Sequence, residues 1–183
     1  MEWIVGITGA SGSIYALRLL EVMKKASMRP HLVISAAGDR VIQEETGVTV
    51  EELREGCHFY PVYDVGAAIA SGSFPTAGMI VIPCSMHTVA ALALGLSDNL
   101  LTRAADVTLK ERRKLIVVPR ETPLHVIHLE NMAALARAGA SLVPAMPAFY
   151  QRPQSMDDLV DFVVGKVLDQ AGIEHTLYRR WGL

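Results

Sequence analysis

Four short runs of this chain, Trp3-Ile4-Val5-Gly6-Ile7-Thr8, His31-Leu32-Val33-Ile34-Ser35, Met79-Ile80-Val81-Ile82 and Leu115-Ile116-Val117-Val118, are almost wholly apolar and lack the inside-outside alternation of a half-exposed strand. Such strands need cover on both faces, which is the condition of a parallel sheet between two helical layers. Helical patterns fall between the runs: residues 14–25 with Leu17, Leu20 and Met23 at helical spacing, about 39–45 ending near Gly47, then 89–95, 100–112, and about 124–138 stopping at Gly139. A further strand is expected at Ser141-Leu142-Val143, and a last helix after Ser155, where Asp158 completes a capping box. Residues 48–78 lack a clear period and read as a mostly irregular excursion that covers a ligand. The alternation predicts an α/β, three-layer αβα fold with a doubly wound, mostly parallel sheet and ligands at the carboxyl ends of its strands.

Composition bounds the rest. A length of 183 residues fits one domain, without repeat or linker. With 51% hydrophobic residues and a mean hydropathy of +0.29, the chain is apolar for its size, so part of that surface is expected between subunits of a homo-oligomer. A net charge of −2 gives no general attraction to nucleic acid or an anionic membrane. The most membrane-like stretch, 79–96, is interrupted by Pro83, Ser85, His87 and Thr88 and reads as strand, turn and buried helix. Two cysteines, Cys57 and Cys84, and no basic leader before the first strand point to a cytoplasmic protein without disulfides.

Two turns carry the chemistry. Gly9-Ala10-Ser11-Gly12-Ser13 and Pro83-Cys84-Ser85-Met86-His87-Thr88 each stand where a strand hands over to a helix, and small residues at a helix N-terminus favour a phosphate. The glycine spacing is G-x-x-G-x-x-G, and the second strand ends in Ser35 rather than the Asp or Glu that holds a dinucleotide ribose, so NAD is disfavoured. The P-loop pattern is absent. His125 and His128, at i and i+3 with Glu130 nearby, suit helix-terminal packing better than a metal, and no metal is predicted. Arg120-Glu121 follows a strand, where an Arg can hold phosphate and a carboxyl can donate a proton, although a surface ion pair explains the dipeptide equally simply. Arg103 and Lys110 belong to a locally basic stretch, mostly a solvated helix face.

Several longer segments then resemble the flavin prenyltransferase (UbiX-like) family, and especially members that accompany decarboxylases of phenolic and hydroxyaryl acids. They are Thr8-Gly9-Ala10-Ser11-Gly12, Ala70-Ser71-Gly72-Ser73-Phe74, Pro83-Cys84-Ser85, Arg103-Ala104-Ala105-Asp106-Val107 with Leu109-Lys110-Glu111-Arg112, Pro119-Arg120-Glu121-Thr122-Pro123-Leu124, and Pro147-Ala148-Phe149-Tyr150 with Arg152-Pro153. The resemblance spans the chain and implies a single Rossmann-like (flavodoxin-like) domain over 1–183, with a C-terminal tail of about 174–183 packing near the site. It implies transfer of a dimethylallyl group from dimethylallyl phosphate to reduced FMN, at N5 and then C6, without a metal. The product, prenylated FMN, would serve a UbiD-like decarboxylase.

By the same resemblance, Gly9, Ala10, Ser11, Ser35, Ser85, Met86, His87, Thr88 and Arg103 contact the flavin, and Ser11 with Glu45 handles protons beside it. Lys110, Arg120, Glu121, Tyr150 and Lys166 form the prenyl-phosphate pocket, with Glu121 the proton donor and Trp181 closing the site. Lys110 and Tyr150 are expected from neighbouring subunits of a dodecamer. Lys166 stands where some relatives have Arg, and Asp64-Val65-Gly66-Ala67-Ala68 where some have a Trp. Two other readings share the flavin: an FMN-dependent decarboxylase of the cysteine type, whose Pro-Ala-Ser-Ala-Asn-like turn is here Pro-Cys-Ser-Met-His, and a non-catalytic FMN carrier or accessory subunit.

Overall fold

The computed structural model describes residues 2–180 and Gly182. Its elements are β1 (Trp3–Ile7), α1 (Ser13–Lys25), β2 (His31–Ile34), α2 (Ala36–Thr46), α3 (Val50–Arg54), β3 (His58–Tyr60), a 3-10 turn (Ala68–Ala70), β4 (Gly78–Cys84), α4 (Met86–Ala93), α5 (Leu100–Lys110), β5 (Lys114–Pro119), α6 (Val126–Arg137), β6 (Ser141–Leu142) and α7 (Met156–Ala171). The strands form one sheet in the order β3-β2-β1-β4-β5-β6, every pair parallel. The chain winds outward from β1 to β3, returns to β4, and winds the other way. That reversal opens a crevice between the carboxyl ends of β1 and β4.

The apolar runs are buried on both sides, as their lack of alternation requires. Val5, Ile7, Ile80, Ile82, Ile116 and Val118 face one core with Leu19 and Met23 of α1 and Val163, Val164 and Val167 of α7. Their neighbours Ile4, Met79, Val81, Leu115 and Val117 face the other, under Val89 and Leu92 of α4 and Leu101, Ala104 and Ala105 of α5. Removing each such Ile or Val side chain from water contributes roughly 1.5–3 kcal/mol. Arg18 of α1 donates to both carboxylate oxygens of Asp161 on α7, at 2.6 and 3.0 Å, which fixes the two helices side by side. The Ser155–Asp158 capping box and the left-handed Gly47 that ends α2 are both in place.

The main departure from the sequence reading lies in 48–78. Thr49 and Glu52 cap each other at the start of α3, and β3 adds an edge strand whose His58 pairs with His31. The stretch around Gly72 is no loose cover: the Arg113 guanidinium donates to the carbonyls of Gly72 and Phe74 at 2.7 and 2.8 Å. Strand β4 also runs on through Pro83 and Cys84, and α4 starts three residues before the expected Val89, because Ser85 caps it. Among the described residues, no helix is long and apolar enough to cross a membrane.

Candidate active site

The crevice at the sheet's reversal point holds a cavity of 400 Å³ lined by Thr8, Gly9, Ser35, Ala37, Ser85, His87, Thr88, Asn99, Leu101 and Thr102. Three helices begin at its wall. Ser35 caps α2 by accepting from Gly38 N–H at 3.0 Å, Ser85 caps α4 by accepting from Thr88 N–H at 3.3 Å, and Asn99 caps α5 by accepting from Thr102 N–H at 3.1 Å. Each cap satisfies one of the four donors that a helix start leaves unpaired, and three positive dipole ends point toward one space. The turns are locked together by Thr8, whose buried hydroxyl donates to Pro83 O and accepts from Ser85 N–H, both at 2.8 Å. The β1 and β2 turns also touch: a Cβ on Gly9 would come within 2.5 Å of the Ala37 Cβ, so only glycine lets them close.

At the first glycine turn, a side chain of this chain already meets the helix start. Gly12, with φ of 109°, leads into α1 without a side-chain cap of its own. The anion at this helix start is Glu45, which accepts from Gly12 N–H at 3.0 and 3.1 Å and from Ser13 N–H at 2.8 Å. Burial pushes the Glu45 carboxyl up, but hydrogen bonds from the Ser11 hydroxyl and the Ser13 and Gly12 amides outweigh it and hold it below the usual carboxylate range. Glu45 thus ties the end of α2 to the start of α1. The side chain of Met86 is buried in the core beneath α4, so only its backbone can face a ligand. Arg103 lies on the first turn of α5 and donates to Asp106 at 3.1 Å. Thr8, Ala37, Asn99, Leu101 and Thr102 are wall residues absent from the expected site. The Asn99-Leu100-Leu101-Thr102 capping box was the readable signal for the last three.

The residues expected around a second phosphate fall into separate places. Arg120 and Glu121 emerge exposed at the carboxyl edge, where Arg120 N–H donates to Cys84 O at 3.2 Å and Glu121 accepts from Thr122 N–H at 3.1 Å. Tyr15 of α1 feels this cation: burial pushes its hydroxyl up and Arg120 pulls it partly back. Lys110 ends α5 at the opposite edge, beside the start of β5, about 10 Å along the helix from Arg103. It is held by Glu111 at 2.7 Å. Lys166 lies one turn before Gln170, whose carbonyl accepts from Lys114 at the amino edge. Tyr150 packs edge-on against Phe162 of α7, at 6.0 Å between centroids, and lines a second cavity of 620 Å³ with Arg152, Arg179 and Arg180. Trp181 lies outside the described residues. His125 and His128 stack on each other with centroids 3.5 Å apart.

Comparisons with known proteins agree with this architecture. The family model described as Flavoprotein matches residues 1–168. Flavin prenyltransferase UbiX of Halalkalibacterium halodurans is 52% identical, covering 98% of this chain and 93% of that protein. The crystal structure of AnUbiX in complex with FMN and dimethylallyl pyrophosphate matches with a TM-score of 0.96 at 41% identity, over 99% of this chain and 97% of that one. A dodecameric FMN-dependent UbiX-like decarboxylase from Escherichia coli O157:H7 matches with a TM-score of 0.96 at 49% identity, over 99% of both chains. At half identity along nearly its whole length, this chain belongs to the UbiX-like flavin prenyltransferases, within the wider Flavoprotein family.

Proposed function

We propose that the 400 Å³ cavity between β1 and β4 takes reduced FMN, and that the chain transfers a dimethylallyl group to it from dimethylallyl phosphate. The observation that carries this reading is the convergence of three capped helix starts on one cavity, in a chain about half identical to named flavin prenyltransferases. The donor set fits the ligand. Hydroxyls of Ser35, Ser85 and Thr88 at positive helix ends suit a phosphate, while Ala37 and Leu101 offer apolar wall to a flat ring. Gly9, Ala10, the His87 side chain, the Met86 backbone and Arg103 complete the flavin contacts in this reading. When bound, reduced flavin would supply the nucleophile, N5 displacing phosphate from the donor carbon; the second bond, at C6, would need a proton delivered to the donor's alkene and the C6 proton removed, giving prenylated FMN.

The protein's own share is charge and proton handling. Glu45, kept ionised by its amide donors, accepts from Ser11 and gives that hydroxyl a base beside the flavin. Arg120, Lys110, Tyr150 and Lys166 hold the departing phosphate, and Glu121 protonates it. Because Lys110 and Arg120 stand at opposite edges of the sheet, the phosphate pocket is assembled from more than one copy of the chain. Exposed Val126, Ile127 and Leu129 on α6, with Phe149 and Met156, supply apolar surface for that contact. The assembly proposed is a dodecamer in the cytoplasm that passes its product to a UbiD-like decarboxylase. A cysteine-type decarboxylase and a pure FMN carrier are not favoured, since neither needs Arg120-Glu121 beside the flavin crevice.

The test is Glu121→Gln. A lost general acid lowers the rate of prenyl transfer by about 100-fold while FMN binding stays unchanged. Full activity in the variant would assign the proton to another group.

A further inference from the structure

The C-terminal segment is folded back along α7 by a single carboxylate. Asp169 Oδ1 accepts from His175 Nε2 at 3.1 Å and from the Arg180 guanidinium at 2.7 Å, and its Oδ2 accepts from the Tyr178 hydroxyl. Leu177 N–H donates to His175 Nδ1 at 3.2 Å, so the ring proton sits on Nε2 and that ring is a donor to Asp169 in its neutral form. The fit is close: a Cβ at Gly165 would lie 2.5 Å from the Tyr178 ring and 2.9 Å from His175 Cε1. Burial pushes the Asp169 carboxyl up, yet donors from Arg180, Tyr178 and His175 bring it down to about 2, so it is an anion at every working pH.

This latch reaches two residues of the second-phosphate group, Lys166 directly and Tyr150 through Phe162. Lys166, one turn earlier on α7, has its Nζ 4.0 Å from Asp169 Oδ2 and 5.6 Å from the Tyr178 ring centroid. Asp169 has three closer donors, and the half-exposed Lys166 ammonium, at 4.0 Å, stands beyond hydrogen-bond distance of it. On the other side the Tyr178 ring packs on Phe162, at 5.3 Å between centroids, and Phe162 packs in turn on Tyr150. Gln151 Nε2 donates to Arg179 O at 2.6 Å, joining the Tyr150 loop to the segment directly.

We propose that Asp169 is a positioning residue for the prenyl donor: by gathering His175, Tyr178 and Arg180 it fastens residues 175–180 on α7 and thereby sets Lys166 and the Tyr150 loop for the donor's phosphate. The role rests on the function proposed above, and its partners are all on this chain. Its hydrogen-bond donors are side chains of this chain, so its loss moves donor binding and leaves the chemical step alone.

The test compares wild type, Asp169→Asn and Asp169→Glu as FMN-loaded full-length protein, with inorganic phosphate as a competing probe. In Asp169→Asn the donor KM and the inhibition constant of phosphate rise together by about tenfold, while kcat and the FMN dissociation constant stay within about twofold. Asp169→Glu, which restores the charge, recovers most of the loss. Unchanged donor KM and phosphate affinity in Asp169→Asn overturn the proposal, and so does a joint fall in kcat, FMN affinity and thermal stability, which marks a merely structural role. A wild type that binds phosphate but forms no prenylated flavin overturns the function instead, and the phosphate affinities measured by calorimetry still decide the role of Asp169.

Discussion

Glu45→Gln isolates the contact that distinguishes the first glycine turn from a plain phosphate cradle. In the wild type one carboxylate receives the amides of Gly12 and Ser13 at the start of α1, where no side chain of the turn caps the helix. A cap of this kind contributes about 1 kcal/mol, and the negative charge against the helix dipole adds up to about another 1 kcal/mol at a partly exposed site. Gln keeps one acceptor oxygen and loses the charge, so the expected cost is about 1–2 kcal/mol. For a chain of this size that is a drop of roughly 3–6 °C in Tm. The pH dependence fixes the cause. The folded Glu45 carboxyl lies below its ordinary value, so its contribution is complete above the unfolded pKa and disappears as the pH falls through the depressed folded one. Melts at about pH 7 and about pH 3, at one protein concentration, should therefore show a gap between wild type and variant that closes in acid. An identical Tm at neutral pH, or a gap that persists in acid, would refute the assignment of the cap to the ionised carboxylate.

Two further substitutions address the cavity and the assembly. Thr8→Val keeps the shape of a fully buried side chain but leaves Ser85 N–H without its acceptor, while Pro83 O keeps only the Thr8 N–H, so denaturant melts should lose about 2 kcal/mol and FMN titrations should weaken with them. Lys110→Ala should retain flavin and lose donor affinity, and co-assembly with Glu121→Gln chains should restore part of the activity, since some sites then draw both intact residues from different copies. No recovery in mixed oligomers would place Lys110 and Glu121 of one chain in one site.

What was legible in the sequence follows from how local each signal is. β1, β2, β4 and β5 announce themselves because burial on both faces leaves almost no polar position in the run, and α7 does so through a capping box within four residues. β3 escaped notice because it is three half-buried residues at a sheet edge, His58-Phe59-Tyr60, held by pairing to β2 alone. α3 carries a Thr49–Glu52 capping box, as α5 and α7 carry boxes of other residues, but its five residues are too short to show a period. At the site, the serine caps of α2 and α4 were readable, whereas the Glu45 cap of α1 joins residues 33 positions apart and exists only once α2 returns beside β1. Asp169 shows the same limit. On a helical wheel it is one more solvated acid, and only the fold-back of 175–180 turns it into the acceptor of three side chains.

The most direct measurement is the mass of the flavin released after anaerobic incubation of the purified protein with reduced FMN and dimethylallyl phosphate, run beside the pyrophosphate form of the donor. Addition of one five-carbon unit to FMN, dependent on the protein and on the donor, is the predicted result. Recovery of unaltered FMN from protein that has bound both molecules would contradict the account.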